Sequence, residues 1–137
     1  MTFKNVLIDT NICMDAALYR KPFADSALKI IEGSEKGLFM GYIAAHSFDT
    51  IFYLLRSDFS KAKLYGFLQS LRESFAVAAV TQEAIDNALQ LQWPDFEDAI
   101  HYQAALQANC DAIITRNKKD FKGARLPVLS PQEFLQG

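Results

Sequence analysis

The acidic side chains of this sequence fall where a fold could gather them. Asp9 follows directly on the apolar run Val6-Leu7-Ile8, whose two β-branched residues suit a buried parallel strand. Asp49 lies early in a helical stretch, and Asp98 lies in the first turn of a helix that starts near Asp95. Asn117, with Asp120 beyond it, follows another apolar run at Ile113-Ile114. Open α/β sheets bind their ligands outside the carboxyl ends of the strands. Strand ends and the starts of the following helices share that edge, so Asp9, Asp49 and Asn117 are expected to converge there. The helix of Asp98 leads into a strand, so its start falls at the opposite end unless the preceding connection brings it across. The pattern leaves that point open.

Carboxylates gathered in one cleft repel, by about 4 kcal/mol for two unit charges ~4 Å apart at an effective dielectric near 20. Such a cluster points to a hard divalent cation with oxygen ligands. A zinc-type cluster is not expected. His46 and His101 are the only histidines, and neither has a histidine or cysteine partner at ligand spacing. Cys13 and Cys110 are far apart and read as buried thiols in a reducing compartment. Each acid also has a plainer reading. Asp9 or Thr10 can cap the next helix, Asp95 and Asp98 fit an N-cap and an N3 acid, Asp49 and Asp120 can be exposed acids, and Asn117 a turn residue.

The elements that must position these side chains alternate along the chain. A strand is predicted over about Phe3–Asp9, then a helix from Thr10 to about Tyr19. Pro22 reads as the first turn of a second helix ending near Lys36, stopped by Gly37. A strand at Leu38–Ala44 and a helix at His46–Arg56 follow. Ser60 caps a helix through about Glu73, Phe75–Val80 is a strand, and Thr81 caps a helix to about Leu91. After a break at Trp93-Pro94 come a helix from Asp95 to about Asn109 and a strand at Asp111–Thr115. A polar, basic loop runs from Arg116 to Arg125. A short strand at Pro127–Leu129 precedes a last helix, opened by the capping box Ser130-Pro131-Gln132-Glu133. This alternation argues for a central parallel sheet covered by helices on both faces.

Composition narrows the function classes. The 137 residues suit one domain, residues 1–137, and half of them are apolar. The net charge of −2 gives no overall basic field, so a nucleic-acid role needs a local basic patch or a bound cation. The start of the chain does not read as a signal peptide, because Lys4, Asn5 and Asp9 interrupt it. No apolar run approaches the ~20 residues that cross a bilayer, and a cytoplasmic protein without membrane contact is expected.

Three segments resemble the main motifs of PIN-domain nucleases. They are Leu7-Ile8-Asp9-Thr10-Asn11, then Asp95-Phe96-Glu97-Asp98-Ala99-Ile100 followed by Ala104-Ala105, and Ile114-Thr115-Arg116-Asn117-Lys118-Lys119-Asp120-Phe121. Gly41–Leu55 is similar to the family's second acidic segment, and the order and spacing agree over nearly the whole chain. The resemblance implies a three-layer α/β/α sandwich with a parallel sheet of about five strands, in which the acids meet in one pocket. It implies Asp9, Asp49 and Asp98 as catalytic, metal-binding acids, with Asn117 at the fourth position and Asp95 or Asp120 as possible substitutes. The family often has Glu where this chain has Asp49, and Asp where it has Asn117, which puts a second metal in question.

The implied activity is a metal-dependent endoribonuclease. Mg2+ or Mn2+ would lower the pKa of a bound water for hydrolysis of a phosphodiester. Asn11, Thr115, Arg116, Lys118 and Lys119 would contact the substrate, and this basic loop, with Lys122 and Arg125, could hold the phosphates of RNA. Many small members are toxins of the VapC type, held in check by an antitoxin protein. The alternative is a catalytically weak PIN-like module that binds RNA or protein. A receiver domain would need an Asp after the third strand, where Val80-Thr81-Gln82 stands, a dehalogenase-type phosphatase an Asp at position 11, and a dinucleotide-binding domain a glycine-rich first turn. The helices of Ala45–Phe75 carry two apolar stripes, Phe48, Phe52, Leu55 and Phe59, and Leu64, Phe67, Leu68 and Leu71. The surplus at Ile51, Tyr53, Leu54 and Tyr65 predicts an interface, either a homodimer or an antitoxin groove.

Overall fold

The computed structural model describes residues 3–137. Strands and helices alternate as β1 (Asn5–Ile8), α1 (Thr10–Ala17), α2 (Ala24–Glu35), β2 (Met40–Ala44), α3 (Ala45–Leu55), α4 (Lys61–Ser74), β3 (Ala76–Ala78), α5 (Gln82–Leu91), α6 (Phe96–Gln107), β4 (Ala112–Ile114), a 3-10 turn (Lys118–Phe121), β5 (Val128–Leu129) and α7 (Pro131–Gln136). The five strands are all parallel and lie in the order β3-β2-β1-β4-β5. This is the α/β/α sandwich expected from the alternation.

The period-2 alternation of the strands decides which helices each residue meets. Leu7 pairs in register with Tyr42 and with Ile113. Leu7, Ala44 and Ile113 pack with Tyr102, Ala104 and Ala105 of α6. Val6, Ile8, Ile43, Ala112 and Ile114 face the other way, against Ile12, Ile30, Ile51, Leu55, Leu64 and Leu71. The central strands are therefore buried on both faces, which is why they read as continuous apolar runs.

Two details differ from the periodicity reading. Pro22 lies outside α2, in a turn whose Arg20 carbonyl accepts the N–H groups of both Phe23 and Ala24, and the helix starts at Ala24. Ile51 is not surplus. The buried stripe of α3 is Ser47, Ile51 and Leu55, so Ile51 faces the sheet while Tyr53, Leu54 and, on α4, Tyr65 are exposed. The caps at Ser60, Thr81 and Ser130 form as expected, and Gly37 takes the left-handed φ of 76° just past α2.

The connection before α6 settles the position of Asp98. α5 and α6 pack on each other, and the Thr81 hydroxyl at the start of α5 donates to Gln107 Oε1 at the end of α6 (2.9 Å). The pair is thus an antiparallel helical hairpin. α5 carries the chain back, and α6 begins at the carboxyl edge of the sheet.

Candidate metal centre

Asp9 follows β1 without a break in the extended backbone (φ −66°, ψ 147°), and its N–H still donates to the Ile114 carbonyl. The alternation therefore runs on by one residue and puts Asp9 on the Leu7 side, toward α6. Thr115 does the same beyond β4. Its hydroxyl donates to Asp9 Oδ2 at 2.7 Å, in a contact that water barely reaches. Asp9 stands at the N-cap position of α1, yet its carboxylate makes no capping hydrogen bond. The carboxylate is held for something other than the helix end.

Asp98 comes to the same place from α6. Asp95 is the N-cap, accepting from the N–H groups of Glu97 (2.9 Å) and Asp98 (3.3 Å), so Asp98 is the N3 acid. Its carboxyl pKa is pushed up to about 7, chiefly by burial and then by the charges of Asp95, Asp9, Asp120 and Glu97. Among the described residues, no Lys or Arg nitrogen lies within 4.0 Å of either acid. Asp98 opens on a cleft of about 200 Å3 lined by Trp93, Pro94, Asp95, Lys119, Asp120, Lys122 and Gly123. Trp93 forms its wall, stacked on Tyr102 at 5.2 Å and edge-on to Phe121 at 6.0 Å. Gly123 permits this, since a Cβ there would meet the indole nitrogen at 2.9 Å.

The third member is His101, one turn after Asp98 on α6 and wholly buried. Ligand atoms of Asp9, Asp98 and His101 all lie within 4.8 Å of one another. His101 Nε2 contacts the hydroxyls of Ser47 (3.0 Å) and Thr10 (3.3 Å), and Thr10 donates to Ser47 (2.9 Å). His101 Nδ1 is buried without a partner. The ring lies 4.7 Å from that of His46, whose pKa falls to about 4 through burial and the neighbouring His101. The two carboxylates, with the Thr115 hydroxyl on Asp9, form an oxygen donor set that fits a hard divalent cation.

The other expected residues divide. Asp49 does not join the cluster. It lies two residues from Ser47, roughly 200° around the helix, so burying Ser47 turns Asp49 outward. There it lines a separate cleft with Thr50, Phe52, Tyr53, Leu54 and Arg56. Asn117 is near the site through its backbone, whose N–H donates to Thr115 Oγ1 at 3.1 Å, while the residue lines a neighbouring cavity with Pro22, Phe23, Arg116 and Ser130. Asp120 and Lys119 share the cleft of Asp98. Asn11 is half-buried in the first turn of α1. Arg116 and Lys118 are engaged within the chain: Arg116 grips Asp15 through Nε (2.7 Å) and one terminal nitrogen (3.0 Å), and Lys118 pairs with Glu133 at 2.8 Å.

In sequence, the PIN domain matches this chain over residues 5–119. The chain belongs to the PIN-domain family. Among curated proteins none matches it. The fold is similar to that of VapBC2 from Rickettsia felis bound to a DNA fragment from its promoter. That structure has a TM-score of 0.71 at 17% identity, over 92% of this chain and 98% of the other. A toxin–antitoxin complex from Klebsiella pneumoniae gives 0.69 at 21%, over 92% and 97%. VapBC-1 from nontypeable Haemophilus influenzae gives 0.70 at 16%, over 93% and 98%.

Within this PIN-domain fold, Ser47 and Asp15 went unread in the sequence, and His101 was set aside there for want of a histidine or cysteine partner. Ser47 belongs to a helical stripe that is otherwise apolar, His101 shares its stripe with Asp98, and their hydrogen-bond partners stand 37 to 91 positions away. Asp15 is buried on α1 between Arg20 and Arg116, and only the arginines five and 101 positions away reveal it. The two cysteines are buried free thiols, as expected, each with its pKa raised to about 12 by burial.

Proposed function

We propose that this PIN-domain chain is a divalent-metal-dependent endoribonuclease acting in the cytoplasm, and the toxin of a toxin–antitoxin pair. One observation carries the reading: Asp9 and Asp98 meet at the carboxyl edge of the sheet without a cationic side chain on them, and Asp98 opens on a cleft that also holds Lys119 and Lys122. Asp9 and Asp98 would hold Mg2+ or Mn2+, with the neutral amide of Asn117 at the family's fourth position and Asp120 in reach of the cleft. Such an ion supplies Lewis acidity and a lowered pKa of water for hydrolysis of an RNA phosphodiester. Thr115 keeps the Asp9 carboxylate in one orientation. Lys119 and Lys122 take the backbone phosphates, which position a strand without reading its sequence. The solved toxin–antitoxin complexes of the same fold support an antitoxin partner. We assign the exposed Tyr53, Leu54 and Tyr65 of α3 and α4 to that partner or to a second copy of the chain.

The test incubates wild type and Asp98→Asn with a mixed RNA pool in Mg2+, Mn2+ or chelator. Cleavage by wild type alone, abolished by chelator, is the expected result. Equal cleavage by both proteins overturns the reading. A second reading, a catalytically weak module that binds RNA or protein, draws support from the outward position of Asp49 and the neutral Asn117. Metal-dependent RNA binding without cleavage would favour it.

A further inference from the structure

We propose that His101 is itself a metal ligand, so that Asp9, Asp98 and His101 form one mixed nitrogen–oxygen centre that favours Mn2+ over Mg2+. The inference rests on the metal-dependent reading above and deepens it. Three observations converge on it. The ligand atoms of the three side chains lie within 4.8 Å of one another, which lets all three face one ion. They come from two elements that the fold fixes independently, the end of β1 and the first two turns of α6. His101 is wholly buried, and its Nδ1 lacks any hydrogen-bond partner among the described residues.

A buried polar atom left without a partner is unfavourable and calls for an explanation. The hydroxyls of Ser47 and Thr10 meet only Nε2. If Ser47 donates to Nε2, then Nδ1 carries a proton with no acceptor. If Nε2 carries the proton, then Nδ1 is a bare lone pair. Either way one nitrogen is unmatched, in a ring that offers a nitrogen within 4.8 Å of an oxygen of each carboxylate. A cation at their common centre resolves both deficits, because it takes an imidazole lone pair and neutralises the acids. Nδ1 is the nitrogen assigned to the cation, because a cation on Nε2 would leave the Nδ1 proton without an acceptor. His46 does not replace His101 here, since it does not belong to the three-membered group.

The nitrogen donor has a consequence for metal choice. Mg2+ takes oxygen ligands almost exclusively, whereas imidazole suits Fe, Ni, Cu and Zn best, with Mn2+ the weakest binder of the first-row series. Exchanging one oxygen for an imidazole therefore shifts the centre away from Mg2+, toward Mn2+ and more strongly toward its heavier neighbours.

Electron spin-echo spectroscopy of Mn2+ bound to the full chain, with its histidines labelled by nitrogen-15, tests this without reference to activity. The chain has two histidines, so two variants assign the signal. The expected result is a histidine-nitrogen coupling that persists in His46→Gln and disappears in His101→Gln. Mn2+ affinity should fall in His101→Gln by about tenfold or more, the range that even an outer-shell partner of a metal commands, while Mg2+ affinity falls less. Should His101→Gln fail to fold, the labelled wild type and His46→Gln decide alone. Mn2+ bound without histidine coupling, or coupling lost in His46→Gln, overturns the proposal and leaves the carboxylate-metal reading standing. No Mn2+ binding to wild type overturns it too, and chelator-sensitive RNA cleavage by the same preparation then shows whether the nuclease reading survives.

Discussion

Asp9 and Asp15 are buried carboxylates at the two ends of α1, the first at its N-cap and the second in its last turn, yet the chain treats them in opposite ways. Asp15, 1% exposed, receives two guanidiniums: Arg20 Nε at 2.9 Å and the fork of Arg116 at 2.7 and 3.0 Å. Arg116 is fixed further by its position over the Phe23 ring, 4.1 Å from the centroid. Asp9, 5% exposed, receives one neutral hydroxyl from Thr115 and faces a second acid, Asp98. A buried charge is tolerated when it is paired and hydrogen-bonded. Asp15 meets that condition within the chain. Asp9 and Asp98 would meet it with a cation from solution. The contrast separates an acid that ties α1 to the segment after β4 from acids set aside for a ligand, and neither burial nor residue type alone would separate them.

Breaking the internally balanced acid should have the largest effect. Asp15→Ala leaves two arginines without their shared partner and should destabilise the fold by about 3 kcal/mol. That is the low end for a broken buried pair, because both guanidiniums keep part of their exposure. Denaturant unfolding would measure it, and the stabilisation by Mn2+ should be of the same size in Asp15→Ala as in wild type. A neutral Asp15→Ala would mean that the two acids do not differ as argued.

The externally balanced acids should respond to metal instead. Mg2+ or Mn2+ at a hundredfold excess over its dissociation constant should stabilise wild type by about 2.7 kcal/mol, read as a rise in melting temperature. Asp9→Asn should lose this response and be more stable than wild type without metal, since it removes repulsion from Asp98. An undiminished metal response in Asp9→Asn would place the ion elsewhere.

These two outcomes bear on what the sequence disclosed. The strands were legible because parallel strands buried on both faces leave continuous apolar runs such as Val6-Leu7-Ile8. The caps were legible because Ser60, Thr81 and Ser130 act on their own following residues. Asp9 and Asp98 could be singled out from their places at element starts. Asp49 misled because α3 is apolar on several faces at once, and the stripe that reaches the sheet contains the polar Ser47, which an apolar pattern hides. His101 and Asp15 were hidden for a related reason. The arginines of Asp15 and the hydroxyls that meet His101 come from other segments, and the three-residue spacing of Asp98 and His101 on α6 was the one local sign. Arg116, Lys118 and Lys119 looked equivalent in sequence as one basic loop, and only the fold shows two of them engaged.

Acid titration sharpens the contrast by a smaller amount. The folded pKa of Asp98, about 7, lies above its ordinary 3.8. The folded state thus holds this proton more tightly than the unfolded chain. Its contribution to stability is full below pH 3.8 and is lost as pH rises through 7. His46 has the opposite sign, because its pKa falls from 6.5 to about 4 and its contribution is lost as pH falls through that window. The two oppose each other between about pH 4 and 6.5, so the difference between wild type and Asp98→Asn isolates the acid. Without metal, Asp98→Asn should gain on wild type steadily from pH 4 to pH 7. A difference independent of pH would remove the burial and charge argument for Asp98.

The smallest effect concerns the lysines, where the same distinction applies with the sign reversed. Lys118 is balanced internally by Glu133, whose carboxyl is held down at about 2 by that lysine and by the Ser130 N–H. Lys119 lines the cleft of Asp98 and has no carboxylate within 4.0 Å among the described residues. An engaged lysine must give up its partner before it meets a phosphate, whereas Lys119 exchanges only counterions. Lys119→Ala should therefore weaken single-stranded RNA binding and lower the slope of log affinity against log salt by roughly 0.7, the share of one phosphate contact. Lys118→Ala should change the slope less, and neither substitution should alter the metal-induced rise in melting temperature. Salt titrations of the two variants by fluorescence anisotropy would measure this, with Asp98→Asn as the background to prevent cleavage. Equal slopes for both would mean that pairing with Glu133 does not withhold Lys118 from RNA, and the division between internally and externally balanced charges would then hold for the buried acids alone.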